Sequence, residues 1–127
     1  MNINSFVFLF IGSAFGLILR IFIENNFKIK IGFSLNNTSL VNLLASLLLG
    51  VLLAFNQTNK DLLLLFYIGF LGCFSTFSSF IYQLFYLLQT RQFVRLFLHY
   101  FEVIILSILF FYLGYYLVKI FQVSYLI

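Results

Sequence analysis

From Leu62 to Leu88 the chain carries no charged residue. A helix that crosses a bilayer needs about 20 largely apolar residues, so this run can span with residues to spare. Three further stretches behave alike. Ser5–Leu19 continues past Arg20 to Ile23, Thr38–Phe55 is uncharged throughout, and Val103–Val118 extends backwards past Glu102 and His99. One transmembrane domain over residues 1–127 is expected, with spans at about 5–23, 38–55, 62–88 and 96–118. Composition points the same way. Apolar residues make up 64% and charged residues 8% of the chain, against roughly 45–50% and about 25% in soluble domains. So few charges cannot cover a water-facing surface. The fold class is all-α, with four membrane-spanning helices.

The connectors Glu24–Asn37, Asn56–Asp61 and Gln89–Arg95 are short, which makes neighbouring helices antiparallel. The opening MNINSFVFLF has no basic segment and no small-residue cleavage site follows, so the first stretch is expected to stay as a span. The single Cys73 excludes an internal disulfide and a multi-cysteine metal site. Lys and Arg set orientation. Arg20, Lys28, Lys30, Arg91 and Arg95 fall on one side, and Lys60 and Lys119 on the other. The first set is expected to face the cytoplasm, with both termini outside. The net charge of +4 is a topology signal and calls for no nucleic-acid partner.

Small residues mark the interior faces. Gly12, Gly16 and Arg20 recur at every fourth position of the first helix, as do Asn42, Ser46 and Gly50 in the second. Where lipid offers no hydrophobic drive, such stripes let helices approach closely, and packing alone is their plain reading. Asn42 demands more, because an amide in hydrocarbon needs partners for its carbonyl and two N–H donors. It serves either an interhelical hydrogen bond or as a donor to an aqueous vestibule or an ion.

The third helix is the most informative. Gly69 and Gly72 lead into Ser75, Thr76, Ser78 and Ser79, a segment where helical hydrogen bonding can be interrupted. Hydroxyls can rebond the freed backbone at membrane depth, and carbonyls released there suit a small cation. Phe77 and Phe80 share a face if the helix resumes. Their positive ring edges can approach an anion, although in a chain with 20 Phe any such pair can also be lipid-facing filler.

The stretch Gly69-Phe-Leu-Gly-Cys-Phe-Ser-Thr-Phe-Ser-Ser-Phe80 resembles the G-x-x-G-G-x-T-T-F-S-T-F signature of the Fluc (CrcB) fluoride channel family. Gly12-Ser-Ala-Phe-Gly16-Leu-Ile-Leu-Arg20 is similar to that family's G-x-x-x-G-x-x-x-R pattern, and Thr38-Ser-Leu-Val-Asn42-Leu-Leu-Ala-Ser46 to its G-T-x-x-V-N-x-x-G-S segment. The resemblance covers nearly the whole chain. It implies a dual-topology dimer of antiparallel subunits in a prokaryotic cytoplasmic membrane, passing fluoride outward and passively to relieve its toxicity. It also implies a fluoride path lined by Phe77 and Phe80, with Asn42, Ser78 and Ser79 as polar neighbours and Ser107 as the local candidate on the fourth helix. Backbone oxygens of Gly72 and Ser75 would hold a structural sodium ion at the dimer centre, while Gly12, Gly16 and Arg20 are structural.

This sequence departs from the pattern in places. The family's acidic residue falls at Gln83, its paired glycine at Cys73, its first Thr at Ser75 and its second-helix glycine at Ala45. A neutral Gln83 is expected to alter the pore entrance. The Lys/Arg bias favours one fixed orientation, hence a heterodimer with a related, oppositely inserted subunit over a homodimer. Two other classes compete. A small four-helix proton-coupled exporter would need a carboxylate inside the first helix, which has none before Glu24. A non-conducting membrane scaffold explains the stripes but gives no reason for the Gly72–Phe80 constellation. No enzymatic set converges. His99, which could pair with Arg95 or Glu102, is read as part of an interfacial start to the fourth helix.

Overall fold

The computed structural model describes residues 3–26, 37–55 and 58–124. Among them are α1 (Ile3–Asn26), α2 (Asn37–Ala54), α3 (Lys60–Leu63), a π-wound segment (Leu64–Leu71), α4 (Gly72–Phe74), α5 (Phe77–Gln89) and α6 (Phe93–Ser124). Four stretches are long and apolar enough to cross a bilayer: Ser5–Asn26, Asn37–Ala54, Lys60–Gln89 and Phe93–Ser124. α6 runs past both ends of the expected 96–118, since neither Gly nor Pro stands beyond those bounds to stop it. At about 1.5 Å per residue it is longer than the roughly 30 Å hydrocarbon layer. Lys28 and Lys30 lie outside the described residues.

The bundle is inside-out by soluble standards. Phe10, Ile18, Phe121 and many other large apolar side chains face outward, as a lipid solvent permits. Burial is confined to seams. Ile23, Val41, Ala45, Leu71 and Phe74 form one buried cluster, and Leu43 and Val103 another, with Phe80, Leu106 and Phe110 packed against it.

Two seams are backbone-to-backbone. A Cβ added at Gly12 would overlap the Leu65 carbonyl oxygen, and one at Gly16 the Phe70 carbonyl oxygen. Five residues of the π-wound chain thus match four residues of α1, which a wider winding allows. Across the bundle, a Cβ at Gly50 would strike the Phe111 oxygen, and one at Gly114 the Leu47 oxygen. α1 therefore zips to the first half of the third span, and α2 to α6.

The ends are fixed locally. Asn59 caps α3 by accepting from the Asp61 N–H at 3.0 Å, and the Ser5 hydroxyl donates to Asp61 at 3.3 Å. α5 turns into α6 through Arg91, whose φ of 55° is left-handed. Gln92 N–H reaches Leu87 O and Arg91 N–H reaches Leu88 O, a Schellman closure built without the usual glycine.

Candidate functional site

The third span is broken at Ser75 and Thr76, both extended, between α4 and α5. One residue of α2 holds the break open. Asn42 accepts from the Thr76 N–H at 2.8 Å and donates to the Thr76 carbonyl at 2.9 Å. In an unbroken helix the Thr76 N–H would bond the Gly72 carbonyl, four residues back. The Ser79 N–H would likewise bond the Ser75 carbonyl, but it goes to the Thr76 hydroxyl at 3.3 Å, which caps α5. Both carbonyls therefore lose their helical donors at membrane depth. The Thr76 hydroxyl also donates to Ser79 Oγ at 3.0 Å and lies 3.3 Å from Ser78 Oγ. Ser78 and Ser79 thus sit at the cap.

Two open grooves meet at Asn42 and Phe77. One, of about 400 Å³, is lined by Asn42, Ser46, Gly72, Ser75, Thr76 and Phe77 among others. The second, of about 470 Å³, takes in Asn42, Phe77, Phe80, Tyr100, Val103 and Ser107. The Phe77 and Phe80 rings lie 6.3 Å apart at 46°. Phe77 is 75% exposed, so its ring is available to whatever occupies either groove. Phe80 is half-buried and also faces Tyr100 and His99, at 6.3 Å and 5.9 Å. Asn42, Phe77, Phe80 and Ser107 are thus brought onto one surface, and Gly72 and Ser75 onto the adjoining one. Gly12 and Gly16 lie apart, in the α1 seam. Arg20 faces Glu24 at 3.4 Å, and Asn37 of α2 donates to the Glu24 carbonyl at 2.9 Å. The carboxylate that an exporter reading would need is thus engaged by a cation one turn away.

The reading of His99 as part of an interfacial start to α6 leaves out its burial. It is 1% exposed, and its Nε2 lies 3.0 Å from the Gln83 side-chain oxygen. With an amide oxygen as acceptor, Nε2 carries the proton. Gln83 also donates to the Thr38 hydroxyl and accepts from Ser39 Oγ at 3.5 Å. Gln83 thus links three spans, through Thr38 and Ser39 of α2 and His99 of α6, at one end of the bundle. Sequence reading singled out Gln83 but missed its partners, because Thr38, Ser39 and His99 are far apart along the chain and follow no shared pattern.

Residues 7–115 match the family model described as CrcB-like protein, Camphor Resistance (CrcB). The chain belongs to the CrcB family. Its similarity to several CrcB relatives is close and nearly end to end. It is 67% identical over 120 residues to the fluoride-specific ion channel FluC 2 of Prochlorococcus marinus (strain MIT 9312), covering 94% of this chain and 98% of that one. A second FluC 2, from P. marinus subsp. pastoris (strain CCMP1986 / NIES-2087 / MED4), is 52% identical over 118 residues, with 92% and 95% covered. The fluoride-specific ion channel FluC of Campylobacter fetus subsp. fetus (strain 82-40) is 35% identical over 127 residues, with 94% and 98% covered.

Proposed function

We propose that this chain is a subunit of a fluoride-selective channel that lets fluoride leave the cell passively across the cytoplasmic membrane, relieving its toxicity. Membership of the CrcB family, whose relatives are named fluoride-specific channels, supports it. So does one structural observation: the Asn42-held break, with Phe77, Phe80 and Ser107 gathered beside it.

Fluoride is small and strongly hydrated, so entering a low-dielectric layer bare would cost many kcal/mol. Fixed donors and ring edges must replace its water. Asn42 spends its oxygen and one N–H on Thr76, which locks the amide and leaves its second N–H as an oriented donor. Phe77 and Phe80 offer edges along the groove, and Ser107 a hydroxyl further on. Ser78 and Ser79 keep the start of α5 capped, so the rings stay in place. Conduction is passive; no bond is made or broken.

The first groove supports a dimer. Freed carbonyls and hydroxyls facing lipid are unfavourable, so a second subunit in the opposite orientation covers Gly72 and Ser75. These oxygens are hard, neutral ligands that fit a sodium ion shared with the same atoms of the partner. A sodium ion held there supplies buried positive charge near the anion path. Gly12, Gly16 and Arg20 shape the scaffold. Arg20, Arg91 and Arg95, with Lys28 and Lys30, favour the cytoplasm, leaving the termini outside and the partner a related chain of opposite orientation. Functional homodimers from this chain expressed alone would count against the heterodimer.

Fluoride efflux from proteoliposomes tests the channel, with and without a candidate partner chain. Fluoride should pass and chloride should not. Phe77→Ile and Phe80→Ile should each lower fluoride efflux by about tenfold or more, the equivalent of losing about 1.4 kcal/mol of ring-edge stabilisation. Unchanged efflux in both variants would remove these rings from the path.

A further inference from the structure

We propose that the turn between α5 and α6 binds the phosphate of an anionic phospholipid, with Arg91 and Arg95 as its ligands. An open groove of about 480 Å³ lies there, lined by Arg91, Gln92, Phe93, Val94 and Arg95. Both arginines are exposed. Two cations thus share one small cavity, and no carboxylate lines it. The chain has only three acidic residues. Glu24 faces Arg20 at 3.4 Å, and Asp61 stands beside Ser5 at 3.3 Å. Glu102 comes two turns later on α6, about 10 Å from Arg95 along the helix axis. The groove is therefore positive and suits an anionic group.

The turn is held in shape before any ligand arrives. Its backbone is fixed by the Arg91 N–H on the Leu88 carbonyl at 3.1 Å and the Gln92 N–H on the Leu87 carbonyl at 3.0 Å. The Arg95 guanidinium donates to the Gln92 side-chain oxygen at 2.9 Å, which takes one of its five N–H donors. Among the described residues the Arg91 guanidinium is in no ion pair. The donors that remain form planar forks matched to phosphate oxygens. Apolar neighbours decide for a lipid over a free phosphate. Phe93 and Val94 in the groove and Phe97 one turn on are all exposed. Cations bordered by apolar surface match a phosphate set above acyl chains. Depth agrees. From Arg95 to Lys119 α6 rises about 36 Å, slightly more than the roughly 30 Å hydrocarbon layer. Lys119 lies over the Tyr115 ring at 5.8 Å, beside stacked Tyr112 and Tyr116, and tyrosines gather at headgroup level. With that end in one headgroup layer, Arg95 reaches the other. One cation marks the Tyr115 end, but two converge at the turn, so the tighter site is at the turn.

The test titrates the detergent-solubilised full chain with phosphatidylglycerol or phosphatidylcholine and counts bound lipid by native mass spectrometry. Binding is independent of what the chain conducts, so its failure leaves the channel proposal standing. Each arginine near an anionic headgroup is worth about fivefold in affinity, so wild type should favour phosphatidylglycerol roughly tenfold or more. In Arg91→Asn with Arg95→Gln the preference should fall to within about twofold. Asparagine accepts the left-handed backbone at position 91, and each single variant should lose part of the preference. Should the double variant fail to fold, the two single variants decide. Lys119→Gln should keep the wild-type preference. Equal binding of both lipids by wild type overturns the proposal. So does a preference that survives in the double variant, or one that Lys119→Gln abolishes. Glycerol phosphate at equal concentration should leave phosphatidylglycerol bound; displacement would make this a site for free phosphate and overturn the lipid assignment.

Discussion

Where α2 crosses α6, Gly50 and Gly114 each lie against the other helix's carbonyl, backbone against backbone. Where α2 meets the third span, an asparagine amide joins it at Thr76, and a glutamine joins two hydroxyls and a histidine at the mouth. The same helix thus presents two faces made of opposite materials. The glycine seam depends on shape, since in lipid two apolar helices gain by packing closely and not by leaving water. The polar seam depends on hydrogen bonds between groups that would otherwise be unsatisfied in hydrocarbon. Substitutions in the first should dissolve the bundle; substitutions in the second should spare the bundle and alter what passes through it.

The sharpest way to break this comparison is at Gly114. Gly114→Leu puts a branched side chain where even a Cβ would overlap the Leu47 carbonyl. The obstacle is backbone, which cannot rotate aside, so α2 and α6 must separate along the seam. A loss of several kcal/mol is expected, visible as no monodisperse detergent-solubilised protein on size exclusion. Should Gly114→Leu remain monodisperse, shape would not be what holds this seam.

Asn42→Leu probes the other material. It removes both bonds to Thr76 while keeping an apolar residue of similar size. Each unsatisfied backbone group costs about 1–3 kcal/mol, so the break should close or shift, with fluoride efflux falling by about tenfold or more. The protein should stay monodisperse, because the Gly50–Gly114 seam is untouched. Loss of folding equal to that of Gly114→Leu would erase the distinction between the two faces.

The two materials were not equally legible in the sequence. The spans stand out because lipid demands long uncharged runs. The glycine stripe Gly12–Gly16 shows itself by its spacing, although its match to a π-wound partner does not, since winding depends on the packed pair. The clustered hydroxyls around Ser75 mark where a helix can break, because local composition governs local hydrogen bonding. Asn42 left two readings open; its amide is bonded to the backbone of Thr76, a residue 34 positions away. The burial of His99 was not foreseen, because it is imposed by Gln83 and Phe80 on another helix. Such a cluster leaves no periodic trace in either helix alone.

The smallest effect is expected at Ser75, within the break itself. Its hydroxyl donates to the Leu71 carbonyl at 2.9 Å, but the Ser75 N–H reaches the same oxygen at 3.0 Å. The carbonyl stays satisfied when the hydroxyl goes, so Ser75→Ala orphans nothing and should cost no more than about 1 kcal/mol. The backbone oxygen offered to the proposed sodium ion is retained as well. Efflux in Ser75→Ala should therefore lie within about threefold of wild type, and its sodium dependence should be unchanged. A loss as deep as that of Asn42→Leu would mean that the Ser75 side chain itself joins the path or the ion. The polar seam would then extend from α2 across the break into the first groove.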